Sequence, residues 1–172
     1  MAENFNSYYT GSHALIIGIN IYKHASPLLH ARNDAEGLAA VLIEKFSFPR
    51  ENVRILLDNE ATASNIRDAY ADFSLTKPDD KIIFFFAGHG YKTSGHRGDV
   101  GFLVPYDGNA SNISTLIRWE EFVTGVDLFP AKHIFFIVDS CFSGLFLKRV
   151  LSGRKRFVTH LLGHTQSMVP IP

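Results

Sequence analysis

The sequence predicts an α/β fold, a three-layer αβα sandwich around a mostly parallel central sheet, and three observations lead there. Short, continuous apolar runs of strand length recur along the 172 residues. Segments with apolar residues on one side at helical spacing separate them. A strand buried on both faces reads as an unbroken apolar run, and parallel neighbours need crossover connections, so the alternation of the two patterns calls for helices on both faces of one sheet.

The first run is ALIIGI, residues 14–19, ended by Asn20. Next, Ala35, Leu38, Ala39, Leu42, Ile43 and Phe46 follow i, i+3, i+4, i+7 spacing, with Asn33 or Asp34 placed to cap the helix start. Val53–Leu57 is the second run, and Ile66, Ala69, Tyr70 and Phe73 repeat the helical pattern after it. Lys81–Phe86 is the third strand. Residues 93–99 read as a loop before a fourth strand at Gly101–Val104; a short helix at Trp119–Val123 then precedes a strand at His133–Val138. Beyond about Leu151 the chain turns basic and shows no clear further strand or helix. The expected organisation is an N-terminal extension, residues 1–12, one globular domain, residues 13–150, and a basic linker or tail, residues 151–172.

The chain is 46% hydrophobic, enough for one core, and its 17 basic residues balance 17 acidic ones, so no global field draws it to nucleic acid or an anionic membrane. The apolar runs fall far short of the roughly 18 residues of a membrane span, and residues 1–12 lack the apolar centre of a signal peptide. A single cysteine excludes an internal disulfide and fits a reducing, cytoplasmic setting.

In open sheets of this class, ligands bind beyond the carboxyl ends of the strands. Two such places stand out. In FFFAGHGY, residues 84–91, His89 follows an apolar strand between two glycines; by default such a histidine is a turn residue, but glycines there let backbone approach a ligand and free an amide to donate. In IFFIVDSCFSG, residues 134–144, Cys141 follows the apolar part of a strand, where the amino end of a following helix could stabilise a thiolate. Alone it would read as a small hydrophobe. Together they make a nucleophile and its base: His89 takes the thiol proton and later protonates a leaving amine, while backbone amides of Gly90 and Cys141 hold an oxyanion.

Asp139 lies two residues before Cys141, and side chains two apart on a strand share a face, so its carboxylate is expected in the same cleft, suited to a substrate guanidinium or ammonium. A turn or capping role is the plain alternative. Asp34, whose default role is capping, sits in a loop that would reach the same edge if the first strand is central.

AGHG after one strand and DSCFSG after another resemble the caspase-like superfamily of cysteine peptidases, closest to metacaspases and prokaryotic caspase homologues. Cys141 lies 52 residues after His89 (141 − 89), near the roughly 50 typical of caspases. IIGINIY at residues 16–22 and NDA at residues 33–35 extend the resemblance, which covers roughly residues 13–147. It implies a catalytic domain over residues 13–150, His89 and Cys141 as a dyad, and Asp34 and Asp139 lining the pocket for the residue before the cut. Caspases carry Gln where this chain has Asp139; a carboxylate there repels aspartate and attracts Arg or Lys. The family carries two further strands and a helix after the cysteine-bearing segment, so the resemblance implies that a small-subunit half is missing here and comes from the same precursor or a separate chain. Arg154, Lys155 and Arg156 are expected sites of self-cleavage, with a solvated basic tail as the plain alternative.

No cofactor is required on this reading. The resemblance leaves room for calcium activation, although Asp99 and Asp107 have no EF-hand spacing, and one cysteine with scattered histidines gives no zinc site. The rival expectations are a noncatalytic caspase-like interaction module and a flavodoxin-like nucleotide binder; the latter lacks a glycine-rich phosphate loop after the first strand. Within peptidases, legumain-like and gingipain-like enzymes share the arrangement in outline.

Overall fold

The computed structural model describes residues 8–96, 98–140 and 157–161. Among these described residues the elements follow in the order β1 (Gly11–Gly18), α1 (Ala31–Phe46), β2 (Val53–Leu57), α2 (Ala63–Ala71), β3 (Asp80–Ala87), β4 (Gly90–Gly95), β5 (Gly98–Leu103), β6 (Ile117–Arg118), α3 (Trp119–Gly125), β7 (His133–Asp139) and β8 (Phe157–Leu161). β2, β1, β3, β7 and β8 form one sheet in that order, with every pairing parallel.

Alternation along each central strand feeds two cores. Ala14, Ile16, Phe85 and Ala87 face Ala31, Ala35, Ala39 and Leu42 of α1. The intervening Leu15, Ile17, Phe84, Phe86, Phe136 and Val138 face the other way, onto Ile66 and Tyr70 of α2 and Trp119 and Phe122 of α3. The period-two pleat against the 3.6-residue helix repeat produces this division, and the result is the expected three-layer αβα architecture.

Four expectations change. Residues 90–103 form a β-hairpin, and with β6 they build a separate antiparallel sheet, so the strand expected at Gly101–Val104 belongs to this small sheet and the loop expected at residues 93–99 is its turn end. The cause lies across the strands: Gly98 takes φ +106° at the turn, and Lys92 pairs with Asp99 at 3.3 Å. Phe46 is exposed, because the buried face of α1 ends at Leu42. α1 starts at Ala31, with His30 at the N-cap position, so Asn33 and Asp34 lie inside its first turn and neither caps it. The Ala31–Ala35 face must begin early to seat on Gly18, where a β-carbon would lie 2.5 Å from that of Ala35 and 2.6 Å from the Ala31 carbonyl oxygen. Lastly, Phe157–Leu161 is a strand, parallel to β7, in the stretch where the sequence shows none; its short run gains a partner only in the folded sheet.

Candidate active site

β3 ends at Ala87, opposite Asp139 of β7. Just past this pair the Gly88 N–H donates to the Asp139 carbonyl at 3.2 Å, which brings His89 to the carboxyl edge of two central strands. A β-carbon on Gly90 would come within 3.0 Å of Ser140 Oγ. The chain leaving β3 and the chain leaving β7 therefore touch, and glycine is the residue that fits between them.

His89 is half-buried and held from two sides by the loop that follows β1. Its backbone N–H donates to the Tyr22 hydroxyl at 2.7 Å, and the two rings pack with centroids 4.7 Å apart. Its Nε2 lies 2.8 Å from the carbonyl oxygen of Ser26. A carbonyl only accepts, so this contact requires the proton on Nε2, and in the neutral ring the lone pair then sits on Nδ1. The sequence offers no motif for Ser26, and Tyr22 belongs to an apolar stretch whose pattern gives its hydroxyl no role.

Asp139 is half-buried and shares its strand face with Phe135 and Ile137, opposite buried Ile134, Phe136 and Val138. It therefore takes the side of the sheet on which α1 packs, the side onto which Ile137 also packs. Asp34 is exposed in the first turn of α1 on that same side. Gly18, beneath the start of α1, is paired with Ala87, which is paired with Asp139. The fold thus sets Asp139 at the carboxyl end of β7 and the first turn of α1, which holds Asp34, over the carboxyl end of β1, two strands away on the same side of the sheet.

Asp58, just after β2, is a further residue that periodicity misses. It is buried, and its φ of +46° is uncommon for any residue but glycine, although Asp tolerates it better than most. Its Oδ1 accepts the N–H groups of Asn20 at 2.8 Å and Ile21 at 3.1 Å, and its Oδ2 accepts from the Arg32 guanidinium at 3.0 Å. Burial pushes the carboxyl pKa up, but the two backbone donors and Arg32 outweigh it and hold the group below the usual carboxylate range. Asn20 in turn accepts the Arg32 backbone N–H on its Oδ1 at 3.1 Å, the acceptor that the first turn of α1 lacks locally.

Cys141 and the basic residues Arg154, Lys155 and Arg156 lie outside the described residues. Asp107 accepts from the Ala63 N–H at the start of α2, and Asp99 pairs with Lys92. Among the described residues no group of three or more His, Cys, Asp or Glu side chains could hold a metal ion, and no helix is long and apolar enough to cross a membrane. A cavity of about 410 Å³ lies elsewhere, between Arg67, Phe102, Leu116 and Arg118; the chemistry read from the sequence belongs to the open sheet edge, where the strand ends converge.

The sequence model described as the caspase domain matches residues 12–166. Metacaspase-6 of Arabidopsis thaliana is 33% identical over 144 residues, covering 76% of this chain and 38% of that protein. Metacaspase-1 of Ajellomyces capsulatus is 28% identical over 166 residues, covering 92% and 42%. The chain spans less than half the length of these curated relatives. Among solved structures, a Geobacter sulfurreducens protein matches with TM-score 0.62 at 23% identity, over 76% of this chain and 50% of that one. The structure of pro-sf-caspase-1 matches with TM-score 0.50 at 15% identity, over 98% and 58%. These structural likenesses concern the fold.

Proposed function

The chain belongs to the caspase domain family, and from that premise we propose that it is the large-subunit-like part of a cysteine endopeptidase that cuts after Arg or Lys. The observation that carries the reading is a register. From Lys81↔His133 to Ala87↔Asp139, β3 and β7 pair at a constant offset, and that offset, 52 residues (139 − 87), is the separation of His89 and Cys141. The same register, with Gly90 against Ser140, brings the segment that carries His89 beside the end of β7.

On this reading the Cys141 thiol gives its proton to Nδ1 of His89, the atom left basic by the Nε2 contact to Ser26. The thiolate sulfur bonds to the scissile carbonyl carbon, and the oxyanion takes hydrogen bonds from the backbone amides of Gly90 and Cys141. Collapse breaks the C–N bond as His89 returns the proton to the amine, leaving a thioester. Water, deprotonated by His89, then releases the acid and restores the thiol. Asp139 and Asp34, on one face of the edge, bind the guanidinium or ammonium of the residue before the cut. The same preference makes Arg154, Lys155 and Arg156 self-cleavage sites, and a small-subunit half, on the same precursor or a separate chain, completes the cleft. A thiol nucleophile that must stay reduced favours the cytoplasm. The chemistry needs no cofactor; calcium enters as an activator to be tested.

The test is release of a fluorophore from peptides ending in Arg, Lys, Asp or Asn, with and without calcium, with Cys141→Ala as control. Release after Arg or Lys that vanishes in Cys141→Ala is the expected result; release after Asp alone would reject the pocket. A noncatalytic interaction module is the second reading. An arginyl electrophile that fails to label Cys141 even in the presence of the remaining half would select it.

A further inference from the structure

We propose that Asp58 is the positioning residue of this site, fixing through one loop the ring of the base His89 and, through Arg32, the helix turn that carries Asp34; this rests on the reading of His89 as the base. Asp58 touches no reacting group itself.

The argument follows the chain. The segment from Ile19 to His30 has no regular structure of its own, yet it supplies both contacts that orient His89, the Tyr22 hydroxyl and the Ser26 carbonyl. Such a loop needs fixed points if a ring is to be held within a fraction of an ångström. One is the Ile19 N–H on the Ala87 carbonyl at 3.1 Å; another is the Lys23 N–H on the Tyr106 carbonyl at 2.8 Å. Between them the carboxylate of Asp58 takes the N–H groups of Asn20 and Ile21, the two residues immediately before Tyr22.

The same carboxylate reaches Arg32, whose backbone N–H is held by Asn20 Oδ1. Asp34 is two residues further on, in the same turn. One buried group therefore ties the loop that orients the base to the turn that presents a pocket carboxylate, and the left-handed backbone of Asp58 is the cost of aiming it there.

Asp58→Gly separates the carboxylate from the backbone, because glycine adopts φ +46° without strain. The full chain and its variants would be compared by circular dichroism, by long-range ¹H–¹⁵N spectra of the histidine rings with His89→Ala for assignment, and by kcat and KM on an arginyl peptide. Folded Asp58→Gly is expected to lose the Nε2–H tautomer at His89 and roughly tenfold or more in kcat, the scale of a misplaced base. Asp58→Asn keeps an acceptor for Asn20 and Ile21 but loses the charge that holds Arg32; it should keep the tautomer and raise KM roughly two- to fivefold, the range of a partly exposed ion pair. A folded Asp58→Gly with wild-type tautomer and kcat overturns the proposal. If Asp58→Gly does not fold, an Asp58→Asn variant with unchanged KM and tautomer assigns Asp58 to stability alone and overturns it as well. Should the wild-type chain cleave nothing even in the presence of the remaining half, the peptidase reading fails separately, and the tautomer comparison still decides the role of Asp58.

Discussion

Asp80 shows at the scale of one residue how this chain handles a buried charge. It is 3% exposed and accepts from the Thr10 hydroxyl at 2.9 Å, His13 Nε2 at 3.2 Å and the Lys77 N–H at 2.8 Å. Burial alone would raise its pKa; these donors reverse that and hold it below the usual carboxylate range. A carboxyl depressed in the folded state contributes stability above its unfolded pKa, near 4, and that contribution is lost as pH falls through the lower folded value. Asp80→Asn should therefore cost most in urea unfolding above about pH 5, with the gap to wild type closing toward pH 2. Asp58 has the same sign, so a residual acid dependence should persist in Asp80→Asn. At the proposed pocket, Asp139→Ala should lower kcat/KM on an arginyl peptide by tenfold or more, about 1.4 kcal/mol or above. Full activity would remove Asp139 from the pocket.

Between elements, the decisive contact is α1 on β1. With a β-carbon at Gly18 only 2.5 Å from that of Ala35 and 2.6 Å from the Ala31 carbonyl oxygen, helix and strand have no room for a side chain. Gly18→Ala is expected to destabilise by about 1–3 kcal/mol in urea titration, the range for overpacking; a neutral result would mean that α1 shifts without cost. The hairpin β4–β5 is a different case. Lys92, Thr93 and Ser94 offer no apolar alternation, so residues 93–99 read as a loop, and the strand exists because its backbone pairs from Gly90↔Leu103 to Gly95↔Gly98. Sequence patterns detect which face is buried, and where neither face is strongly apolar they detect little.

Over the whole molecule, the aromatic core on the α2 and α3 side holds the layers together. Tyr70 packs against Phe84, Phe122 and Phe129 with ring centroids 4.6–5.8 Å apart, and its hydroxyl donates to the Phe122 carbonyl at 2.5 Å. Phe84, with no exposed surface, sits on central β3 and also meets Phe136 of β7. Phe84→Ala should cost about 3–5 kcal/mol in urea unfolding, the range for a buried aromatic truncation; a loss under about 1 kcal/mol would mean that the core collapses to fill the space. The core lies beneath the sheet edge that carries His89, so packing and the proposed chemistry occupy different ends of the same strands, as in other open α/β sheets.

By itself the sequence determined the α/β class, the positions of the central strands and main helices, and the placing of His89 just beyond a strand, because burial periodicity and strand-ending glycines are local properties. It also carried the family resemblance in short motifs. Only the tertiary structure decided the register of β3 against β7, the side of the sheet that Asp34 and Asp139 share, and the partners of His89 in Tyr22 and Ser26, 67 and 63 residues away. The role of Asp58, 38 residues from the Asn20 amide it holds, is legible only there too. Such contacts join hydrogen-bonding groups on separate elements, and a repeat read along the chain reports which face of an element is buried, never which distant group meets it.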